Sequence, residues 1–301
     1  MKIVREGVQR KERQISVPRF YPDQIIQWAV LLQIVPYLSK GMYPFTCGSV
    51  PERGSSYAKR YLERWLRDDR KGTKYCLKLD VHHFYRSVDH DHLKDMLRRK
   101  FKDDQLLHLL DLIIDSAPGL PIGNVTSQWL ANFYLQGLDH YIKEQLHARY
   151  YIRYMDDMVI LGPNKRKLGA MREAIEFYLS SIGLELNPKW QKFRVDSRGI
   201  DFLGFRFFHR KTILRRSVML RITRKVRRTA KKGSWNPHNC KSILSYIGWF
   251  KRSNNYVLYQ RWVKPYVNIR KMKGVVRHEN VQHSNAGKSV SGSAFGTGLH
   301  G

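Results

Sequence analysis

The chain has 301 residues, 42% of them hydrophobic, and carries 55 Lys and Arg against 25 Asp and Glu, a formal net charge of +30. This length predicts one large domain or two to three subdomains. The sequence has no apolar run of about 18–20 residues and no apolar block after its charged N-terminus, which predicts a cytoplasmic protein with no membrane partner. The excess of positive charge predicts a polyanionic partner, and nucleic acid is the first candidate. The widely spaced Cys47, Cys76 and Cys240 predict reduced, buried thiols.

The N-terminal residues predict a short strand followed by a helix. The strand is expected to end before Pro18, and Asp23 is placed to cap a helix that starts at Gln24. Pro36 is expected to end this helix. The apolar residues that lie at helical spacing in it are Ile25, Ile26, Trp28, Ala29, Leu31, Leu32 and Val35. A loop rich in Gly, Ser and Pro follows over residues 47–56.

The middle of the chain alternates helices with strands. Ser55 or Ser56 is expected to cap a helix to about Asp68, and the strand over 75–81 carries Asp80 near its end. The other elements predicted here are helices at His92–Phe101, Leu106–Ile114, Trp129–Gln145 and 165–182, and a hairpin over Tyr150–Gly162.

The last third is basic and helical after a further hairpin over Gly199–Phe208. Helices are predicted from Ser217 to Gly233, over Asn239–Lys251 and over Tyr256–Lys271. No Asp or Glu occurs between Asp201 and Glu279, so this region is expected to bind a nucleic-acid backbone. Residues 284–301 are rich in Gly, Ser and Ala without an apolar period, which predicts a disordered tail.

The adjacent carboxylates of Asp156 and Asp157 interrupt an apolar hairpin and are expected at its turn. Such a pair is either solvated or binds a cation, and hard cations such as Mg²⁺ prefer oxygen ligands. If the strand that carries Asp80 lies next to this hairpin, the carboxylates of Asp80, Asp156 and Asp157 converge. Such a cluster can hold two Mg²⁺ ions about 3.5–4 Å apart, an arrangement that serves phosphoryl transfer.

Four ordered motifs resemble those of reverse transcriptases. Leu77–Asp80 with Phe84–Tyr85 is similar to the first catalytic motif of the family, and Tyr154–Asp157 to the second. Gly183–Leu186 and Phe202–Phe205 resemble the later palm motif and the primer-grip hairpin. The resemblance covers about residues 10–270. It implies an α+β right-hand polymerase that copies RNA into DNA, with an antiparallel palm sheet and an α-helical thumb.

The resemblance also implies a domain layout. Residues 1–75 would form the fingers and the start of the palm, 76–208 the palm with its catalytic motifs, 209–283 the basic helical thumb and 284–301 the tail. The segment that precedes the strand at Ile15 is shorter than is usual in the family. We therefore expect either a truncated reading frame or reduced fingers, and either would affect processive synthesis.

Residue roles follow from the matched motifs. Asp80, Asp156, Asp157 and the backbone carbonyl of Val81 would hold two Mg²⁺ ions, with Mn²⁺ as a substitute. Tyr85 would be the steric gate against a ribose 2′-hydroxyl, the alternative being a core aromatic. The residues expected to contact the nucleotide are Tyr85, Ile122, Gly123 and Arg53. Those expected to contact nucleic acid are Gln128, Phe202, Leu203, Gly204, Arg221, Arg224, Lys225 and Arg228.

The loop Pro121–Gln128 resembles the diversity-generating retroelement subfamily. Most relatives carry Gln at the position of Ile122 and Pro at that of Gln128. In the family an aliphatic residue at the position of Ile122 goes with misincorporation opposite template adenine, because it cannot hydrogen-bond nucleotide or template. Simple loop packing is the alternative for Ile122.

The resemblance also implies partners: template RNA, primer and cDNA, dNTPs, and a small basic accessory protein of a bacterial or phage-encoded retroelement. A stand-alone or phage-defence reverse transcriptase and an inactive nucleic-acid-binding scaffold are the alternatives. Lys189 or Lys192 would supply a proton to pyrophosphate, although Trp190 lies near the usual lysine position. His82 and His83 lack helical spacing, which favours a structural role over a metal pair.

Overall fold

The computed structural model of the chain describes residues 2–6 and 11–278, with side chains from Ile15 onward. The predicted tail at 284–301 therefore lies outside the described residues. The chain divides into two compact units. The first runs to Leu203 and includes Phe208–Arg210, and the second comprises Gly204–Phe207 and the residues from Lys211 onward.

The strands of the described residues are short and mostly antiparallel. In chain order they are β1 Lys2–Glu6, β2 Lys11–Ile15, β3 Thr46–Cys47, β4 Tyr75–Asp80, β5 Tyr150–Tyr154, β6 Asp157–Gly162, β7 Gln191–Arg194, β8 Ile200–Phe202, β9 Phe205–Phe207 and β10 Thr212–Leu214. The central sheet has the order β3-β5-β6-β4-β7, and only the β3–β5 pair is parallel. The buried side chains of β4, β5 and β6 place this sheet in the core of the first unit.

The helices surround that sheet or form the second unit. They are α1 Ile25–Ser39, α2 Ser55–Asp68, α3 Phe84–Ser87, α4 His90–Lys100, α5 Asp104–Ile114, α6 Val125–Tyr134, α7 Gln136–His140, α8 Lys165–Ser181, α9 Val195–Arg198, α10 Arg216–Lys232, α11 Pro237–Lys251 and α12 Tyr256–Trp262. The mixture of helices with a mostly antiparallel sheet confirms the predicted α+β class. None of the helices in the described ranges is both long and apolar enough to cross a bilayer.

The apolar residues of α1 do not all face the core. Its buried residues are Gln27, Val30, Leu31, Ile34 and Leu38. Apolar residues occur all round this helix, so periodicity could not select the face that meets the core. Four of the apolar residues at helical spacing are exposed: Ile25, Ile26, Trp28 and Leu32.

Several predicted helix ends also differ. The first helix continues to Ser39 past Pro36, because a proline near the last turn removes only one hydrogen bond. Gly54, not a serine, occupies the N-cap of α2. The predicted helix from Trp129 to Gln145 is interrupted at Leu135, whose ψ of 2° lies outside the helical range.

The second unit contains the β9–β10 hairpin and helices α10 to α12. The basic helix α10 ends at Gly233 as predicted. It buries Ile222, Val226 and Thr229 along one face. Helix α12 stops at Trp262, well short of the predicted Lys271, and a 3₁₀ turn over Lys264–Tyr266 follows it. The proline in that turn cannot donate a helical hydrogen bond.

Candidate active site

The predicted catalytic carboxylates meet at one edge of the central sheet. Strand β4 pairs antiparallel with β6 so that Asp80 lies directly opposite Asp157. In the β5–β6 hairpin Asp157 lies opposite Tyr154, so Met155 and Asp156 form a two-residue turn. The pairing of β4 with β6 thus sets Asp80 and Asp157 on adjacent strands, next to the turn that carries Asp156.

The Asp157 carboxyl occupies an electrostatically strained position. Its Oδ1 atom is buried without a hydrogen-bond partner, while Oδ2 lies 3.3 Å from Lys78 Nζ. The pKa of this carboxyl is raised to about 7, chiefly by burial; the charges of Asp80 and Asp156 add to the shift and Lys78 opposes it. A buried carboxylate with one unpaired oxygen favours a bound cation.

Asn187 orients Asp80. Its Nδ2 donates to Asp80 Oδ2 at 2.8 Å, and its backbone N–H donates to the Asp80 carbonyl at 2.8 Å. The adjoining bridge between Val81 and Leu186 aligns the same two segments. Leu186 ends the predicted palm motif and Asn187 follows it directly, so an amide in this position was a usable sequence signal.

Lys78, inside the predicted motif Leu77–Asp80, is a second residue whose role was not predicted. Its Nζ donates to the Asp201 carbonyl at 2.6 Å and contacts the Asp157 carboxylate. Residues two apart in a strand face the same way, so Lys78 and Asp80 share a face of β4. A lysine two residues before a catalytic aspartate in an apolar strand was the available signal.

The donor chemistry of this edge suits a hard divalent cation, because it offers carboxylate oxygens and one buried oxygen without a partner. Among the described residues, however, no three His, Cys, Asp or Glu side chains are grouped closely enough to hold a metal ion. The metal roles of Asp80, Val81, Asp156 and Asp157 therefore stay predictions. The imidazole of His82 lies 3.6 Å from Glu185 and packs beside the His83 ring, with 4.1 Å between ring centres.

The loop that contains Ile122 is fixed by backbone contacts. Ser16 N–H donates to the Ile122 carbonyl at 2.7 Å, which ties the end of β2 to the loop. Gly123 has φ +115°, and a Cβ there would lie 2.1 Å from the Ser16 carbonyl. Only glycine fits this position. The Ile122 side chain is half-buried, so packing does not account for it fully.

Tyr85 lies beside the same loop. Its backbone carbonyl accepts from Leu120 N–H at 2.6 Å, and its ring meets Phe84 edge-on at 5.6 Å between ring centres. The structure thus brings Tyr85 and the loop with Ile122 and Gly123 to one region of the first unit. The steric-gate role of Tyr85 stays a prediction.

Arg53 and Gln128 are linked through the loop between β3 and α2. Arg53 donates from Nη1 to the Tyr43 carbonyl at 3.3 Å, and its own carbonyl accepts from Gly48 N–H at 2.9 Å. Gln128 Oε1 accepts from the Ser49 hydroxyl at 2.6 Å. Both side chains keep accessible surface.

The predicted primer-grip residues differ in exposure. Phe202 is fully buried, so its side chain belongs to the core and is not available to nucleic acid. Leu203 and Gly204 form a turn with φ +53° and +81° and are half-buried. In the second unit a Cβ on Gly204 would lie 2.6 Å from the Trp249 ring, which explains the glycine.

The predicted basic surface of α10 is present. Arg221, Arg224 and Arg228 are exposed, while Lys225 donates to Asn239 Oδ1 at 2.5 Å. The tryptophans of this unit pack within it. Trp249 stacks on Phe205, Arg227 lies 4.5 Å from the centre of the Trp262 ring, and Trp235 lines a cavity of about 400 Å³. These tryptophans therefore belong to the packing of the unit that carries the basic surface of α10.

The two candidate proton donors occupy different settings. Lys189 is exposed, whereas Lys192 lies on β7 opposite Leu77. Trp190 between them packs beneath the Arg172 guanidinium at 4.9 Å. The proton-donor role stays a prediction for both lysines.

Known proteins resemble this chain over most of the first unit. A family model described as reverse transcriptase (RNA-dependent DNA polymerase) matches residues 6–207. Protein YkfC of Escherichia coli strain K12 is 25% identical over 252 residues, 67% of this chain and 65% of that protein. The Retron Ec73 reverse transcriptase of E. coli is 28% identical over 138 residues, 41% of this chain and 44% of that protein. The chain spans less than two thirds of the length of both relatives.

The fold also has a counterpart among solved structures. The apo telomerase of Candida tropicalis truncated from its C-terminal domain matches with a TM-score of 0.50 and 13% identity, over 64% of this chain and 45% of that chain. At this identity the likeness concerns the fold alone. Together with the family match, it confirms the predicted right-hand polymerase fold.

Proposed function

Because the chain belongs to the reverse transcriptase family, we propose that it is an RNA-directed DNA polymerase that makes cDNA on an RNA template. The observation that carries the proposal is the strand register that sets Asp80 opposite Asp157 beside the Met155–Asp156 turn. The intact set of carboxylates at that edge argues against an inactive scaffold.

The proposed catalytic residues are Asp80, Asp156 and Asp157, which with the carbonyl of Val81 would hold two Mg²⁺ or Mn²⁺ ions. The ions would supply activation of the attacking oxygen and stabilisation of the leaving one. Asn187 fixes the Asp80 carboxylate, and Lys78 offsets part of the negative charge beside Asp157.

The substrate-handling roles rest on the neighbouring residues. Tyr85, Ile122, Gly123 and Arg53 would contact the dNTP, and Tyr85 would exclude ribonucleotides. Template and primer would contact Gln128, Leu203, Gly204 and the exposed arginines of α10. In this proposal the first unit contains the fingers and palm, and the second contains the thumb.

A finer proposal concerns fidelity. The half-exposed aliphatic Ile122 beside Tyr85 supports error-prone synthesis at template adenines within a diversity-generating retroelement, together with a small basic accessory protein. The sequence match to the Retron Ec73 reverse transcriptase favours the alternative of a different bacterial reverse transcriptase system. A near-duplicate template repeat beside the gene that differs at adenines would favour the first.

Sequencing of the cDNA made on a defined RNA template tests both the polymerase activity and the proposed errors at template adenine. Purified protein is supplied with Mg²⁺, primed RNA and dNTPs, and a reaction with EDTA is the control. We expect extension only with the metal, with errors concentrated opposite adenine. Ile122→Gln should reduce those errors, and an unchanged error spectrum would refute the role of Ile122. Absence of any extension would instead refute the polymerase proposal.

A further inference from the structure

The turn that carries Asp156 has an unfavourable backbone conformation. Met155 is not a glycine, yet it adopts φ +56° in the left-handed region. Such a residue persists in this region only where the surrounding structure holds it. Its N–H donates to the Cys47 carbonyl at 3.1 Å, and its carbonyl accepts from Arg153 Nη1 at 2.8 Å.

Arg153 is fully buried and makes its strongest contacts with Asp139, which is 1% exposed. The two form a fork: Nε donates to Asp139 Oδ1 at 2.8 Å and Nη2 donates to Oδ2 at 2.5 Å. The remaining guanidinium nitrogen, Nη1, reaches Met155 and also donates to Asn132 Oδ1 at 3.0 Å. One planar group therefore joins a buried carboxylate to the turn.

Other side chains fix both ends of this arrangement. Asp139 also accepts from the hydroxyls of Thr46 at 2.7 Å and Tyr151 at 2.6 Å. Asn132 Nδ2 donates to the Gly48 carbonyl at 2.9 Å, next to the Cys47 carbonyl that holds Met155. The network thus ties the turn to α6, α7 and the end of β3.

We propose that Arg153, held by Asp139, is a positioning residue that sets the Met155–Asp156 turn and so aims the Asp156 and Asp157 carboxylates. The expected loss of incorporation rests on the polymerase activity proposed above. The hold of Arg153 on the turn does not depend on that activity. A buried ion pair is weak support for stability, since apolar residues of similar volume often replace one without loss. What an apolar pair cannot do is donate to the Met155 carbonyl.

The geometry requires arginine in particular. Lysine would keep the positive charge beside Asp139, but its single nitrogen cannot bond both carboxylate oxygens and the Met155 carbonyl from one plane. Arg153→Lys therefore separates charge from positioning. Tyr151→Phe is the matched control, because it removes one donor to Asp139 and leaves the bond from Arg153 to Met155 in place.

The experiment compares wild type, Arg153→Lys and Tyr151→Phe in the full chain. Single-nucleotide incorporation, primer-template affinity and thermal unfolding are measured, with hydrogen exchange of a peptide over residues 150–162. For Arg153→Lys we expect incorporation to fall about tenfold to a hundredfold at unchanged primer-template affinity, since small displacements of reacting groups have effects of this size. Exchange at the turn should accelerate, while a peptide over 75–80 should not change.

Tyr151→Phe should stay within about twofold of wild type in incorporation, because it leaves the contact with the turn intact. Should Arg153→Lys fail to fold, Asn132→Ala replaces it, since it weakens the hold on Nη1 and leaves the pair with Asp139 in place. Asn132→Ala should accelerate hydrogen exchange at the turn and lower the incorporation rate by less than Arg153→Lys would.

Two results would overturn the proposal: exchange at the turn as slow in a folded variant as in wild type, or equal losses of incorporation in Arg153→Lys and Tyr151→Phe. If wild type itself incorporates no nucleotide, the polymerase proposal fails, and the exchange data alone decide the role of Arg153.

Discussion

The carboxylate edge of the sheet and the basic face of α10 are organised in opposite ways. At the edge, Asp80 is bonded by Asn187, Asp157 is contacted by Lys78, and the intervening turn is held by Arg153. On α10, within the part of the chain that the structure describes, the exposed arginines at 221, 224 and 228 form no side-chain hydrogen bond or ion pair.

The difference follows from what each region is proposed to do. Phosphoryl transfer depends on positions accurate to a fraction of an ångström, so each group needs its own fixed partner. Affinity for a phosphate backbone depends on the number of positive charges, which remain effective while mobile. Single substitutions should therefore be severe at the edge and mild on the helix.

Replacement of Asp157 by Asn should have the largest effect. We expect incorporation to fall on the order of a thousandfold or more, because a group that acts directly in the chemistry is lost. RNA affinity should stay near that of wild type. Primer extension and filter binding measure the two quantities, and loss of both together would mean that the carboxylate has a structural role.

Asn187→Ala should rank second. It frees the Asp80 carboxylate, and we expect a loss of about tenfold to a hundredfold in incorporation at unchanged primer-template affinity. Asn164→Ala is the matched control, because that side chain only caps α8 through Arg166 and Lys167 N–H groups. The cap should cost about 1 kcal/mol of stability without a specific loss of rate. Equal kinetics in the two variants would contradict an orienting role for Asn187.

The basic face of α10 should respond to the sum of its charges. Each single Ala substitution at Arg221, Arg224 or Arg228 should weaken RNA binding by less than about threefold, whereas the triple variant should also lower the slope of affinity against salt by about 0.9 per lost phosphate contact. Titrations at several salt concentrations measure this slope. Removal of the three exposed cations Lys165, Arg166 and Lys167 from α8 is the control, and an equal change of slope there would show that only net charge matters.

Arg227→Ala should have the smallest effect on binding. This guanidinium packs on the rings of Trp262 and Tyr266, so its loss should lower the free energy of unfolding by about 0.5–1 kcal/mol. Urea unfolding measures that change. A loss of RNA affinity as large as that of Arg228→Ala would place Arg227 among the binding residues instead.

The positions of the catalytic carboxylates could be predicted from the sequence better than the side chains that hold them in place. Asp80 could be placed at a strand end and Asp156 at a hairpin turn because apolar alternation and hairpin patterns are local signals, although Asp157 proved to be the first residue of β6 and not part of the turn. The bonds of Asn187, Lys78 and Arg153 depend on residues far away in the chain, and only the fold shows which of these meet. The buried face of α1 escaped prediction because an almost wholly apolar helix offers no contrast, and Phe202 and Trp249 turned out to pack within the protein.

The contact between Ser16 and the loop at Ile122 and Gly123 has a consequence for how this protein can evolve. The Ile122 carbonyl and the space beside Gly123 are occupied by the residues around Ser16, whereas the Ile122 side chain is half-buried and keeps accessible surface. Position 122 is thus open to many side chains, while 123 accepts only glycine. Under the role proposed for Ile122, copying accuracy would change through substitutions at this one codon, while the backbone of the loop stays the same. A library randomised at 122 alone would sample fidelity, and one randomised at both positions would sample mostly misfolded protein.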